Sequence, residues 1–262
     1  MSESAKFFRF QSGTLVEQSE STGEPQLAVA DSWLSVDGRS RSLQAHFERF
    51  AAWTAESAPE LLVQLPSFFN AVEEALRVPG RLFPRIELHT EGDSGAQLFL
   101  RIREAPDQLG SIKLWSYPQS DPRNNPLIKG PDLSLCLQMR RNAQMHGADE
   151  AVITDARGNI LEGALSAIVW WQDDVLCAPG NELPWLDSIT RREVFSIAEQ
   201  MGIKTRLLTA KPADLVGLEV WALSSLQGIR VASEWVDLGG PLGKPKHFES
   251  FERRLRLLST AI

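Results

Sequence analysis

The chain has 262 residues, 43% of them hydrophobic, enough to bury a substantial core as one large domain or two small ones. With 23% charged residues, wide disorder is not expected, and a net charge of −7 leaves no basic excess to displace counterions from nucleic-acid phosphates. No apolar run approaches the roughly 20 residues that span a bilayer, and Met1 to Gln11 lack a basic stretch followed by an apolar one, so a cytoplasmic protein is expected. Cys136 and Cys177, with histidines scattered at 46, 89, 146 and 247, offer neither a disulfide framework nor metal-ligand spacing.

Residues 12–25 are polar and turn-rich, as a surface hairpin or a loose arm would be. Gln26 to Ala30 reads as a strand. Leu43 to Thr54 reads as a helix, because Leu43, Phe47, Phe50 and Ala51 recur at helical spacing. A second helix is expected from Pro66 to Val78, closed by Pro79-Gly80. Strands follow at Arg85–His89, Gln97–Arg103 and Ile112–Ser116, with a turn over Glu91–Gly95 between the first two. Strands clustered beside two helices indicate an α+β unit.

Pro118 to Pro126 carries three prolines and two asparagines and reads as an interdomain linker. The expected division is a small α+β domain over 1–117, a linker over 118–128 and a larger domain over 129–262, rich in β-structure with helices. In the larger domain a helix over Asp132–His146 stops at Gly147. Strands are expected at Ala151–Thr154, Ile160–Glu162, Ala167–Trp171 and Val175–Cys177. A helix over Thr190–Met201 ends at Gly202. Strands at Arg206–Leu208 and Glu219–Ala222 and a basic helix over Glu249–Leu258 complete the chain.

Four features of this larger part have chemical meaning together. Lys129 stands between the linker and a helix; alone it is a loop lysine in water, but uncharged in a cleft it is a nucleophile toward an aldehyde. Glu162 ends a strand; alone it is a hairpin-edge glutamate, but facing a cofactor it could keep a ring nitrogen protonated. Thr190 and Glu193 read as a capping box at a helix start, a position that also binds phosphate. Ser224 and Ser225 end a strand shortly before Gly228, forming either an ordinary turn or part of a phosphate cup. Each signal is weak singly, and their order and spacing carry the weight.

That order resembles the class IV (fold-type IV) pyridoxal-phosphate enzymes, which include branched-chain aminotransferases, D-amino-acid transaminases and 4-amino-4-deoxychorismate lyases. The residues that carry the resemblance are GADEAVITDARGNILEG (147–163), LPWLDSITRREV (183–194) and EVWALSSLQGI (219–229), with His46-Phe-Glu-Arg49 upstream. The likeness extends over about 26–55 and 125–230. It implies a two-domain α+β fold with a cofactor cleft between the domains, and pyridoxal 5′-phosphate joined to Lys129 as a Schiff base. Glu162 would partner the pyridinium nitrogen. Arg49, Ser166, Ile189, Thr190, Ser224 and Ser225 would also contact the cofactor. A homodimer is likewise implied.

The chain departs from the family at three places. The glycine-rich run that precedes the H..R helix is absent, Ala167 stands where many members have asparagine, and no tyrosine follows Lys129 in Lys129-Gly-Pro-Asp132-Leu133. The spacing of Lys129 to Asp149 and the compact length resemble the lyase and D-transaminase branch. The expected reaction is conversion of 4-amino-4-deoxychorismate to 4-aminobenzoate and pyruvate. The alternatives are an aminotransferase acting on a branched-chain or D-amino acid, and a non-catalytic cofactor-binding homologue. A substrate carboxylate needs a cation, for which Arg101 or Arg103 is a candidate, their alternative being an exposed strand face.

Overall fold

The computed structural model describes residues 5–19, 26–91 and 95–262, so the turn expected between Glu91 and Gly95, and the arm over 20–25, lie outside the described residues. The chain divides into two compact units. The first takes in Met1–Asp107, Ile128–Pro131 and Leu258–Ile262; the second takes in Gln108–Leu127 and Asp132–Leu257.

In the first unit β1 (Lys6–Gln11) and β2 (Thr14–Gln18) form a hairpin. Its two turn residues, Ser12 and Gly13, both have positive φ, the conformation that matches the twist of tightly connected strands. There follow β3 (Gln26–Ser32), the short β4 (Ser35–Val36) and β5 (Arg39–Arg41), α1 (Leu43–Ser57) and α2 (Leu65–Leu76). Then come the short β6 (Arg81–Leu82), β7 (Arg85–Glu91) and β8 (Gly95–Ile102). The order β2-β1-β8-β7-β3 makes a five-stranded antiparallel sheet.

Alternation along these strands sorts their side chains. Ile86 and Leu88 of β7, with Leu98 and Leu100 of β8, join Val29 in a core closed by Phe47 and Phe50 of α1 and Phe68, Val72 and Leu76 of α2. The intervening residues of β7 and β8 are left to the opposite face of the sheet.

The second unit is built on β9 (Ser111–Ser120), α3 (Leu133–Met145), β10 (Glu150–Thr154), β11 (Ile160–Gly163), β12 (Ala167–Gln172) and β13 (Val175–Ala178). It continues with α4 (Ile189–Gln200), β14 (Thr205–Leu207), β15 (Glu219–Ser224), β16 (Gly228–Trp235) and α5 (Phe248–Leu257). Its eight-stranded mixed sheet has the order β11-β10-β9-β16-β15-β12-β13-β14, with β9 parallel to both of its neighbours. β12 and β15 are buried on both faces, which is why AIVWW and VWAL read as continuous apolar runs. Finally β17 (Ser259–Ala261) pairs antiparallel with β5 in a small sheet of order β17-β5-β4-β6, inside the first unit.

The α+β architecture follows the sequence expectation; the division differs from it in three ways. β9 runs on to Ser120, so the supposed linker begins as a strand of the second unit. Lys129 belongs to the first unit instead of opening the second, and the last residues return to the first unit. β16 went unread because Gly228 to Ala232 are all buried, which removes the alternation that would announce a strand. Among the described residues no helix is long and apolar enough to cross a membrane.

Candidate functional site

Lys129 is placed by its backbone. Its carbonyl accepts the N–H of Ala30 at 2.6 Å, which lays it along the outer edge of β3. Gly130 comes next with φ of 150°, and a Cβ there would stand 2.9 Å from Val29 Cα and 3.0 Å from the Ala28 carbonyl oxygen. Only glycine lets the lysine segment lie this close to the strand.

Two charged clusters stand in the same unit. Asp31, wholly buried on β3, accepts Arg49 Nε at 2.8 Å on Oδ2 and Arg49 Nη2 at 2.9 Å on Oδ1, and His46 Nδ1 lies 2.7 Å from Oδ1. Burial pushes the Asp31 pKa up, but the Arg49 and His46 charges and hydrogen bonds outweigh it and hold the carboxyl well below the usual range. Arg49, expected at the cofactor phosphate, is thus gripped by Asp31 in a side-on fork.

The second cluster covers the sheet face that α1 and α2 leave. Glu87, 1% exposed, accepts Arg85 Nε at 2.7 Å and Arg101 Nε at 2.9 Å, with His89 Nε2 at 2.6 Å. Arg101 lies 4.7 Å over the Phe7 ring and Arg103 4.3 Å over Phe83. Arg103 Nε and Nη2 are buried without a hydrogen-bond partner among the described residues. Burial first, then the neighbouring Arg85 and Arg101, bring the Arg103 pKa down to about 10. This face is therefore no exposed strand surface; Arg85, Arg101 and His89 share one buried carboxylate, with the Arg103 guanidinium on the same face. It is also near the lysine in register, since Ala30, which holds the Lys129 carbonyl, pairs directly with Glu87.

In the second unit Glu162 is 5% exposed at the inner end of β11. Its Oε1 accepts Arg123 Nη1 at 2.6 Å and the Leu186 N–H at 2.9 Å; no donor among the described residues reaches Oε2. Burial raises the Glu162 pKa, and Arg123 works against that rise. Arg123 also forks onto Asp121. The sequence reading missed both residues because they lie in the stretch taken for a linker. The available signal was Asp121-Pro-Arg123, opposite charges flanking a proline in an otherwise neutral polar run.

Four residues beyond Leu186 stands Thr190, in the first turn of α4. The expected capping box of Thr190 and Glu193 is not what starts this helix. Ser188 is the N-cap: its Oγ accepts the Arg191 N–H at 3.3 Å and its carbonyl that of Arg192 at 3.1 Å. Ile189 and Thr190 then occupy the first two helical positions, whose N–H groups have no acceptor within a helix. Thr190 is fully buried, with Oγ1 3.5 Å from Ser225 Oγ in the turn after β15. Ser224 Oγ closes that turn by accepting the Gln227 N–H at 3.1 Å. Arg191 lies 3.4 Å over the Trp185 ring, and Trp185 Nε1 donates to the Gly180 carbonyl at 2.7 Å, fixing the approach to the helix. Ser166 has a supporting place: its carbonyl accepts the Gly163 N–H at 2.7 Å and its hydroxyl donates to buried Glu150 at 3.1 Å.

A family model described as amino-transferase class IV matches residues 28–235. No curated protein matches the chain significantly. Among solved structures, the chain is similar to a fold IV-transaminase from Curtobacterium pusillum, with 18% identity, a TM-score of 0.78 and 97% of each chain covered. A hypothetical aminotransferase from Mycobacterium tuberculosis in its PLP-bound form aligns with TM-score 0.79 and 20% identity over 97% of this chain and 98% of that one. A putative 4-amino-4-deoxychorismate lyase from Legionella pneumophila aligns with TM-score 0.78 and 16% identity over 92% of this chain and 96% of that one.

Proposed function

Because the chain belongs to the amino-transferase class IV family, we propose that it binds pyridoxal 5′-phosphate on Lys129 and releases 4-aminobenzoate and pyruvate from 4-amino-4-deoxychorismate. The observation that carries the cofactor reading is the segment Leu186–Thr190. Its first N–H fixes Glu162, whose Oε2 meets no donor among the described residues, and its end is a helix N-terminus beside two hydroxyls. An acceptor for a ring N–H and a cup for a phosphate on one short segment suit this cofactor.

When bound, the cofactor supplies an electron-withdrawing ring that stabilises negative charge on the amine-bearing carbon of the substrate. In this reading Lys129 Nζ takes the proton from that carbon. Glu162 Oε2 accepts the ring-nitrogen hydrogen. The N–H groups of Ile189 and Thr190 hold the phosphate with the Thr190, Ser224 and Ser225 hydroxyls. Ser166, its hydroxyl given to Glu150, supports the Glu162–Gly163 bend.

The substrate carries two carboxylates, and the cluster of Arg85, Arg101 and Arg103 around the single Glu87 supports an anionic substrate, with Arg103 having buried donors to spare. Once the proton has left, the ring carbon–oxygen bond breaks. The enolpyruvyl group departs with the bonding pair, takes up a proton and leaves as pyruvate, while the six-membered ring becomes aromatic. The second reading, transfer of an amino group to a keto acid, is favoured by the likeness to solved transaminases.

Incubation of the purified protein with pyridoxal phosphate and aminodeoxychorismate tests the assignment, with 4-aminobenzoate read by fluorescence and pyruvate by a coupled assay. The expected result is both products in equal amounts, with Lys129→Ala slower by about 10²–10⁴-fold. Product from an amino acid and a keto acid only would establish the aminotransferase. Absence of any visible cofactor band in wild type would overturn the cofactor assignment itself.

A further inference from the structure

Glu162 is held through one oxygen. Arg123 Nη1 and the Leu186 N–H both donate to Oε1, at 2.6 and 2.9 Å. Arg123 gives its other two donors, Nε and Nη2, to Asp121 Oδ1 and Oδ2, each at 2.9 Å, and its own backbone N–H to Oδ1 at 3.1 Å. The Arg123 side chain is only 5% exposed, and the Asp121 and Glu162 side chains are 12% and 7% exposed.

Both ends of this assembly rest on one strand. The Asp121 N–H donates to the Thr154 carbonyl at 2.9 Å, and Glu162 pairs in register with Ile153, the preceding residue of β10. The frame is therefore fixed at backbone level, and the Arg123 fork leaves its guanidinium little freedom. Two carboxylates and one guanidinium sum to a single negative charge, the amount that one protonated ring nitrogen would balance.

We infer that Asp121 and Arg123 are positioning residues that hold Glu162 as a carboxylate with Oε2 as its remaining acceptor, so that it keeps a bound cofactor's ring nitrogen protonated. This rests on the proposed use of pyridoxal phosphate. The physical argument is a competition. Burial favours the neutral carboxyl, and a neutral Glu162 would offer a hydrogen where the ring nitrogen needs an acceptor. Arg123, bonded to Oε1 at 2.6 Å, is the charge that works against burial and on the side of the carboxylate. A merely structural Arg123, stapling residues 121–125 to β11, would affect stability and leave the ring nitrogen unchanged.

The test reconstitutes wild type, R123Q, R123K and D121N with 15N-labelled pyridoxal phosphate and reads the ring nitrogen by NMR near neutral pH, with thermal unfolding of each protein alongside. The nitrogen is expected to be protonated in wild type, largely so in R123K, partly so in D121N and mostly unprotonated in R123Q. An R123Q protein whose nitrogen stays protonated as in wild type would overturn the inference, whatever its stability. Should R123Q not fold, D121N carries the test: a lowered protonated fraction supports the inference and an unchanged one overturns it. Failure of wild type to take up the cofactor is seen before any variant is compared. It would sink the functional assignment, and this inference with it.

Discussion

Asp31 is a residue whose place in the molecule is a matter of charge. Removing one partner of a buried ion pair is costly, so Asp31→Asn, which takes away the charge that Arg49 forks onto, is expected to cost about 3–5 kcal/mol near neutral pH, read from urea unfolding. The pH dependence has a definite sign. The folded-state pKa of Asp31 is depressed, so its contribution is complete above the unfolded-state value of about 3.9 and is lost as pH falls below that. The stability gap between wild type and D31N should therefore be flat from pH 7 to about pH 5 and narrow below about pH 4. A gap that held constant to pH 3 would show that Asp31 acts through shape alone. Glu87 is the matching case on the other sheet face, where burial raises its pKa but His89 and Arg85 bring it below the usual range. Arg103 is different: its buried Nε and Nη2 have no hydrogen-bond partner among the described residues, which is the signature of a group that stability alone does not explain.

At the scale of elements, placement is done by strand edges and helix starts. Lys129 owes its position to a backbone hydrogen bond and a glycine pressed on β3, not to its own side chain. α4 owes its start to Ser188, whose Oγ satisfies the Arg191 N–H. Ser188→Ala should cost about 1 kcal/mol in thermal or denaturant unfolding. It should also weaken retention of pyridoxal phosphate more than that loss of stability accounts for, because the first turn it organises is the proposed phosphate cup. Equal retention by wild type and S188A in equilibrium dialysis would separate the cap from the cup. The Asp121–Arg123 pair shows the same logic in an irregular segment, where side chains do the tying that a strand's backbone does elsewhere.

For the molecule as a whole, the path of the chain matters more than the order of its elements. It leaves the first unit after Asp107, comes back for Ile128–Pro131 and returns again at Leu258. The last return is tied by the pairing of Ser259 with Arg41 and by the Ile262 N–H, which donates to the Gly38 carbonyl at 2.9 Å. Deleting 258–262 should therefore speed amide exchange at Arg39–Arg41 and lower the stability of the first unit by on the order of 1–3 kcal/mol, the scale of burying one large apolar side chain. Unchanged exchange there would show the return to be incidental. Periodicity made α1, α2, α3 and the alternating β7 and β8 legible in the sequence, because each shows one face to a core and one away from it. The ordered blocks around Glu162, Thr190 and Ser224 were legible too, since turn residues and helix starts are local in the chain. What sequence alone determined was thus the α+β class, most elements and the family. Only the tertiary structure decided that Lys129 belongs with β3, that Arg49 is paired with Asp31, and that Arg123 holds Glu162 across 39 positions. Those are contacts between residues far apart in the chain, set by which backbone edges and buried charges meet, and no local pattern encodes them.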